Sequence, residues 1–156
     1  MPEATRAAID DFLLRKRIAI AGVSRRPQDF SRMLMREFVV RGYDIVPVNP
    51  LAGDIEGIAA TARIGDIQPP PEAVLLMTSP EHSDEVVRDA VAAGVKRLWL
   101  YRGTASAGLS AESLALCSEN KIALIAGECP FMYLPNAGAI HSIHRFFRQV
   151  VGAMPK

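Results

Sequence analysis

Ile18-Ala19-Ile20-Ala21-Gly22-Val23-Ser24-Arg25-Arg26-Pro27-Gln28-Asp29-Phe30-Ser31 is the stretch that decides the fold. It opens with four apolar residues in a row, without the alternation of a half-exposed strand. Such a run suits a strand buried on both faces. Gly22 ends it where the backbone must turn tightly. A polar loop follows, and from Ser31 to Val40 the apolar residues return at helical spacing. Strand, glycine turn and helix in that order form the first half of a β-α-β unit.

The same grammar recurs along the chain. Ile45-Val46-Pro47-Val48 ends in Asn49-Pro50, and Ala73-Val74-Leu75-Leu76-Met77 ends in Thr78-Ser79-Pro80. Leu98-Trp99-Leu100-Tyr101 ends in Arg102-Gly103, and Ile122-Ala123-Leu124-Ile125 ends in Ala126-Gly127. Helical patterns lie between them. Ser31 to Val40 turns Met33, Leu34, Phe38 and Met35 toward a core. Ser83 to Ala93 carries Val86, Val87, Ala90 and Val91 and stops at Gly94. Leu109 to Asn120 carries Leu114 and Cys117 behind Ser110 as N-cap. A helix over about Ala4 to Arg15 precedes the first strand, and another over 139–151 closes the chain. The stretch from Asp54 to Ile67 is read as a short strand around Ile58 and little else.

Strands alternating with helices pair in parallel through right-handed crossovers. The expectation is an α/β fold: one three-layer domain over 1–156, its core at about 15–130, with helices on both faces of the sheet. Ligands of such sheets sit beyond the carboxyl ends of the strands, near the switch in strand order. That selects the loops beginning at Gly22, Asn49, Thr78, Arg102 and Gly127.

Composition narrows the function. The 156 residues are 49% hydrophobic and 22% charged, ordinary for one globular core. Eighteen Lys and Arg against 17 Asp and Glu leave a net charge of +1, which gives no field to steer nucleic acid or to hold an anionic membrane. Any anion site must be local. The N-terminus reads Met-Pro-Glu-Ala-Thr-Arg, without a basic segment leading into an apolar one, and no apolar run approaches a membrane span. Cys117 and Cys129 make no disulfide framework, so a cytoplasmic setting is expected.

Two loops carry chemistry of their own. In the first, Ser24 and the amides after it can donate to phosphate. Ser31 opens a helix whose free amides favour an anion, and Arg25 and Arg26 add charge. The competing reading is a plain turn with two solvated arginines; the place after strand one favours phosphate. The G-x-G-x-x-G fingerprint is missing, since Ser24 and Pro27 follow Gly22. In the second loop, dinucleotide folds place an acid that holds the ribose hydroxyls. This chain has Asn49 beside Pro50, a pair that also suits a simple turn. Asn does not repel a phosphate, which fits an adenosine carrying extra phosphate better than it fits NAD.

Gly22-Val23-Ser24, Gly42-Tyr43 leading to Pro47-Val48-Asn49-Pro50, Thr78-Ser79-Pro80-Glu81-His82, and Ala93-Gly94-Val95-Lys96-Arg97-Leu98-Trp99 together resemble the small CoA-binding domain family, relatives of the CoA-binding domain of the succinyl-CoA synthetase alpha subunit. The resemblance runs from about Ile18 to Cys129. It implies a Rossmann-like parallel sheet of five or six strands, order 3-2-1-4-5-6, with coenzyme A across the strand ends. It implies that Gly22, Val23, Ser24 and Arg25 wrap the pyrophosphate, that Asn49 and Pro50 border the adenosine, and that Thr78, Ser79 and Pro80 line the pantetheine path. Arg26, Ser31, Arg102 and Gly103 complete the candidate set. One departure is Tyr101, where the family's Trp-x-Gln-x-Gly turn has Gln.

The tail is a second departure. Cys129, His141 and His144 are open to three readings: a zinc site, a Cys129 nucleophile with His141 as base, or a buried Cys-Pro turn and a packing helix. No fourth ligand and no orienting acid are evident, so packing is favoured and no metal is expected. Ile140, Ile143, Phe146, Phe147 and Val150 make a stripe wide enough to suggest a homodimer through this helix. His82 reads as a helix-start residue near the ligand edge. The expected function is non-catalytic binding of coenzyme A or an acyl-CoA, with no nucleic-acid or membrane partner. The rivals are a NAD(P)-dependent oxidoreductase or other small nucleotide enzyme, and an interaction module whose ligand site has decayed.

Overall fold

The computed structural model describes residues 4–101 and 108–135. Arg102, Gly103, the helix expected over 139–151 with His141 and His144, and the dimer stripe lie outside the described residues. The elements run α1 (Arg6–Leu13), β1 (Arg17–Ala21), α2 (Phe30–Val40), β2 (Asp44–Val48), β3 (Gly53–Ile55), β4 (Ile58–Ala60), β5 (Ala73–Leu76), α3 (Pro80–Ala92), β6 (Arg97–Leu100), α4 (Ala111–Glu119) and β7 (Ala123–Ala126). Short 3-10 turns occupy Ile64–Asp66 and Pro130–Met132.

Five strands form one parallel sheet in the order β2-β1-β5-β6-β7. Beyond β2, the place of a sixth strand is held by the antiparallel hairpin β3-β4. It meets the sheet through one parallel bridge, Val48 to Thr61. Order 3-2-1-4-5-6 is thus present with its third strand shortened to that bridge. The expected single strand at Ile58 is one arm of the hairpin, and its turn, Glu56-Gly57, takes φ of +53° and +81°.

Side chains on a strand alternate between faces, and the core divides accordingly. Ile18, Ile20, Leu75, Trp99 and Ile125 pack with Ile9 and Phe12 of α1 and Leu34, Met35 and Phe38 of α2. Ala19, Ala21, Val74, Leu76, Leu98 and Leu100 pack on the other face with Val87 and Ala90 of α3, Cys117 of α4, and Ile64. The tail segment Phe131 to Leu134 is buried on the first face. There the indole N–H of Trp99 donates to the Glu128 carbonyl, and Tyr133 donates to the Glu128 carboxylate at 2.7 Å.

Two local expectations change. Met33 is exposed, because Leu34, Met35 and Phe38 already form the inward stripe and Met33 falls off it. And α2 begins at Phe30 with Asp29, not Ser31, as its cap. Ser110 caps α4 as expected, accepting from the Ser113 amide at 3.1 Å.

Candidate functional site

Register brings the loops together. Ala21 is level with Val48 on one side and Leu76 on the other, so Gly22, Asn49 and Met77 leave the sheet side by side. The strand order reverses between β1 and β5, whose following helices cover opposite faces. A cleft of about 620 Å³ opens there. Its floor is Ala21, Gly22, Val48 and Met77, and Pro50 stands at one side. One wall is the start of α3: Thr78, Ser79, His82, Glu85, Val86 and Asp89. The outer wall is Ala62, Arg63 and Ile64, between the hairpin and the 3-10 turn.

Gly22 is required here. Its φ is +90°, and a β-carbon built on it would lie 2.8 Å from the Met77 carbonyl carbon and from the Thr78 nitrogen. Those are backbone atoms, which cannot step aside. The Gly22 amide donates to the Val48 carbonyl and the Met77 amide to the Ala21 carbonyl. The first and third loops therefore meet backbone to backbone.

The β1–α2 loop is held from within. Arg32 is 7% exposed; its Nη1 donates to the Ser24 and Arg25 carbonyls at 3.2 and 3.1 Å. Its Nε meets Glu56, which also binds Arg36. Both arginines hold the Glu56 carboxyl below the usual glutamate range, the Arg36 hydrogen bond contributing most. A trans peptide points its N–H opposite its C=O. Carbonyls drawn inward to Arg32 thus turn the amides of Arg25 and Arg26 away from it.

Ser31 is engaged within the loop. It is 2% exposed, its hydroxyl accepts from the Ser24 amide at 2.8 Å, and both its amide and its hydroxyl donate to Asp29. Those two bonds keep the Asp29 carboxyl below its ordinary range. The Asp29 carboxylate already takes the favourable place at the N-terminus of α2. Ser31 positions the loop. Val23 is fully buried, backbone included, and its carbonyl accepts from Asn49.

Asn49 ties two loops together. Its Nδ2 donates to the Val23 carbonyl at 2.9 Å and its Oδ1 accepts from the Leu51 amide. The Arg25 side chain crosses from the first loop to the second, where its Nη2 donates to the Ala52 carbonyl. Arg26 is exposed, and its amide donates to the Ser24 hydroxyl.

Of the sequence-predicted residues, the cleft gathers Gly22, Pro50, Thr78 and Ser79. Val23, Ser24, Arg25, Arg26, Ser31 and Asn49 are not among the residues that line it, and Pro80 opens α3 behind Ser79. His82 stands where it was expected, in the first turn of α3, with Nδ1 2.9 Å from the Ser79 hydroxyl. Cys129 is 5% exposed in the apolar core. The sequence reading missed Arg63, Ile64 and Asp89. Asp89 accepts from Arg63 at 2.9 Å and from the Gly65 amide at 3.2 Å, which fastens the outer wall to α3. Because the hairpin went unrecognised, nothing in the sequence pattern brought residues 62–64 to the strand ends.

A CoA-binding domain family matches residues 16–135 of the chain. The uncharacterized protein YneT of Bacillus subtilis (strain 168) is 30% identical over 104 residues, which cover 66% of this chain and 77% of that protein. Among solved structures, a hypothetical protein from Pyrococcus horikoshii OT3 superposes with a TM-score of 0.73 at 24% identity, covering 82% of this chain and 89% of that one. The dinucleotide forming acetyl-coenzyme A synthetase 1 of Ca. Korarchaeum cryptofilum matches 69% of this chain over 25% of its own, with a TM-score of 0.60 at 19% identity. The parallel sheet, the cleft at its switch point and the family match over residues 16–135 agree: the chain belongs to the CoA-binding domain family.

Proposed function

We propose that the protein binds coenzyme A or an acyl-CoA at the strand ends and does not transform it. The observation that carries this reading is the convergence of Gly22, Pro50, Thr78 and Ser79, from three separate loops, on one cleft of about 620 Å³. The turn from Gly22 to Arg25 wraps the pyrophosphate, with Val23 as its buried anchor and Arg26 adding charge. Asn49 holds the second loop in place for the adenosine. Pro50, Ile64 and Val86 offer the apolar walls that an adenine ring needs. Thr78, Ser79 and Pro80 follow the pantetheine.

Several polar groups facing the cleft have partners within the protein: Asp89 with Arg63 and Gly65, Ser79 with His82, Thr78 with Ser83. No helix among the described residues is long and apolar enough to cross a membrane, and we assign the protein to the cytoplasm.

The test is ligand-dependent melting. At about 100-fold over its dissociation constant, a ligand adds about 2.7 kcal/mol, or about 5–10 °C for a chain of this size. CoA is expected to do this, with NAD at equal concentration giving less. Equal or greater stabilisation by NAD overturns the assignment. Acetyl-CoA incubated with the protein should be recovered unchanged by mass spectrometry; turnover would make the protein an enzyme.

A further inference from the structure

We infer that Arg25 reads the phosphate on the 3′ carbon of the ligand's ribose, and so separates coenzyme A from 3′-dephospho-CoA. The inference rests on the coenzyme A reading above and refines it. In doubly wound sheets the pyrophosphate meets the first β–α turn and the ribose lies at the end of the second strand, where an arginine accommodates the 2′-phosphate of NADP; the same bidentate chemistry serves a 3′-phosphate.

Arg25 belongs to the first turn by sequence, yet its charged end lies at the second. Its Nη2 donates to the Ala52 carbonyl and sits over Gly53, where a β-carbon would come within 3.1 Å of it. Root and landing place are both fixed. Arg32 holds the Arg25 carbonyl at 3.1 Å, and Asn49 binds the Val23 carbonyl at 2.9 Å. The guanidinium is thus set against the turn that follows β2 and not along the first loop.

Its charge is also uncommitted. Among the described residues no carboxylate forms an ion pair with Arg25. Glu56 is engaged by Arg32 and Arg36, and Asp54 accepts from the Gly57 amide. One backbone carbonyl uses one of the five guanidinium donors, which leaves enough for a bidentate grip on a phosphate. Asn49, where dinucleotide folds carry an acid, puts no negative charge in the way.

Calorimetric titration of the full chain with CoA and with 3′-dephospho-CoA decides. The wild type should prefer CoA by at least about tenfold, the size of a charge-assisted hydrogen bond. Arg25→Ala should bring the two ligands to near-equal affinity, with 3′-dephospho-CoA bound as by the wild type. Arg25→Gln, which keeps a donor for Ala52 but not the charge, should lose the preference equally. Arg25 variants that weaken both ligands alike would place the residue on the pyrophosphate and overturn this inference while leaving CoA binding intact. A wild type with no preference, or a preference that survives Arg25→Gln, also overturns it. A wild type that binds neither ligand removes the CoA reading as well.

Discussion

Replacing Gly22 with alanine tests the contact on which the site is built. Two costs combine. A φ of +90° lies outside the range a β-carbon tolerates, and left-handed backbone costs a non-glycine residue about 1–2 kcal/mol. The new methyl would also stand 2.8 Å from the Met77 carbonyl carbon and the Thr78 nitrogen. These are main-chain atoms at the end of β5, so relief requires the two loops to separate. Overpacking of that kind costs about 1–3 kcal/mol. The sum, about 2–5 kcal/mol, is a large part of a typical stability of about 5–15 kcal/mol. At about 2–4 °C per kcal/mol, the melting temperature should fall by about 5–20 °C. Thermal unfolding by circular dichroism measures it, and CoA titration of the variant below its transition should show weakened binding, since Gly22 lines the cleft floor. A variant that melts within about 2 °C of the wild type, with unchanged CoA affinity, would refute the reasoning: the loops would not be in backbone contact.

Glu56→Gln tests the arginine clamp through pH. The folded carboxyl titrates below its ordinary range, so its contribution is present above that range and is lost as pH falls through the lowered value. The variant should melt lower than the wild type at pH 7 and lose less on acidification below about pH 5; parallel curves for the two proteins would show that Glu56 carries no such linkage. Asp89→Ala removes the fastening of the outer wall to α3. Its carboxylate is 10% exposed and accepts from Arg63 and Gly65, so a loss of about 1–3 kcal/mol is expected with CoA bound severalfold more weakly; full retention of both would detach that wall from the site.

What the sequence disclosed was the part dictated by local pattern. Continuous apolar runs marked all five strands of the main sheet, because burial on both faces leaves no room for alternation. Gly94 and Ser110 marked helix ends because capping is local chemistry. Gly22 was legible as a turn; that it touches the third loop was not, since that contact follows from register. That Asp29, two residues before Ser31, takes the helix-start amide was not legible, because helix-start chemistry is shared by any acceptor nearby. The hairpin β3-β4 escaped because its two strands are three residues each and its turn opens with a glutamate, a residue seldom found at positive φ. With it went Arg63, Ile64 and the outer wall. Arg32, the clamp of the first loop, lay in a helical pattern as one polar residue among several, and only burial distinguishes it.

The cleft has walls of unequal firmness. On one side stand the ends of β1 and β5, central strands with neighbours on both edges and side chains at or near zero exposure. Their amides should exchange with solvent only when the whole domain opens. On the other side stand residues 62–64, joined to the sheet by the Val48–Thr61 bridge and to α3 by Asp89. Ile64 is buried in the core, but Ala62 and Arg63 lie beyond the two backbone hydrogen bonds that tie Thr61 to the sheet, and they should open at a lower free energy than the strands. A ligand settling between the two would slow exchange in the hairpin and the 3-10 turn while leaving β1 and β5 as they were. Entry and release of a ligand then need only the outer wall to yield, and the sheet beneath keeps the β1–α2 loop in register throughout.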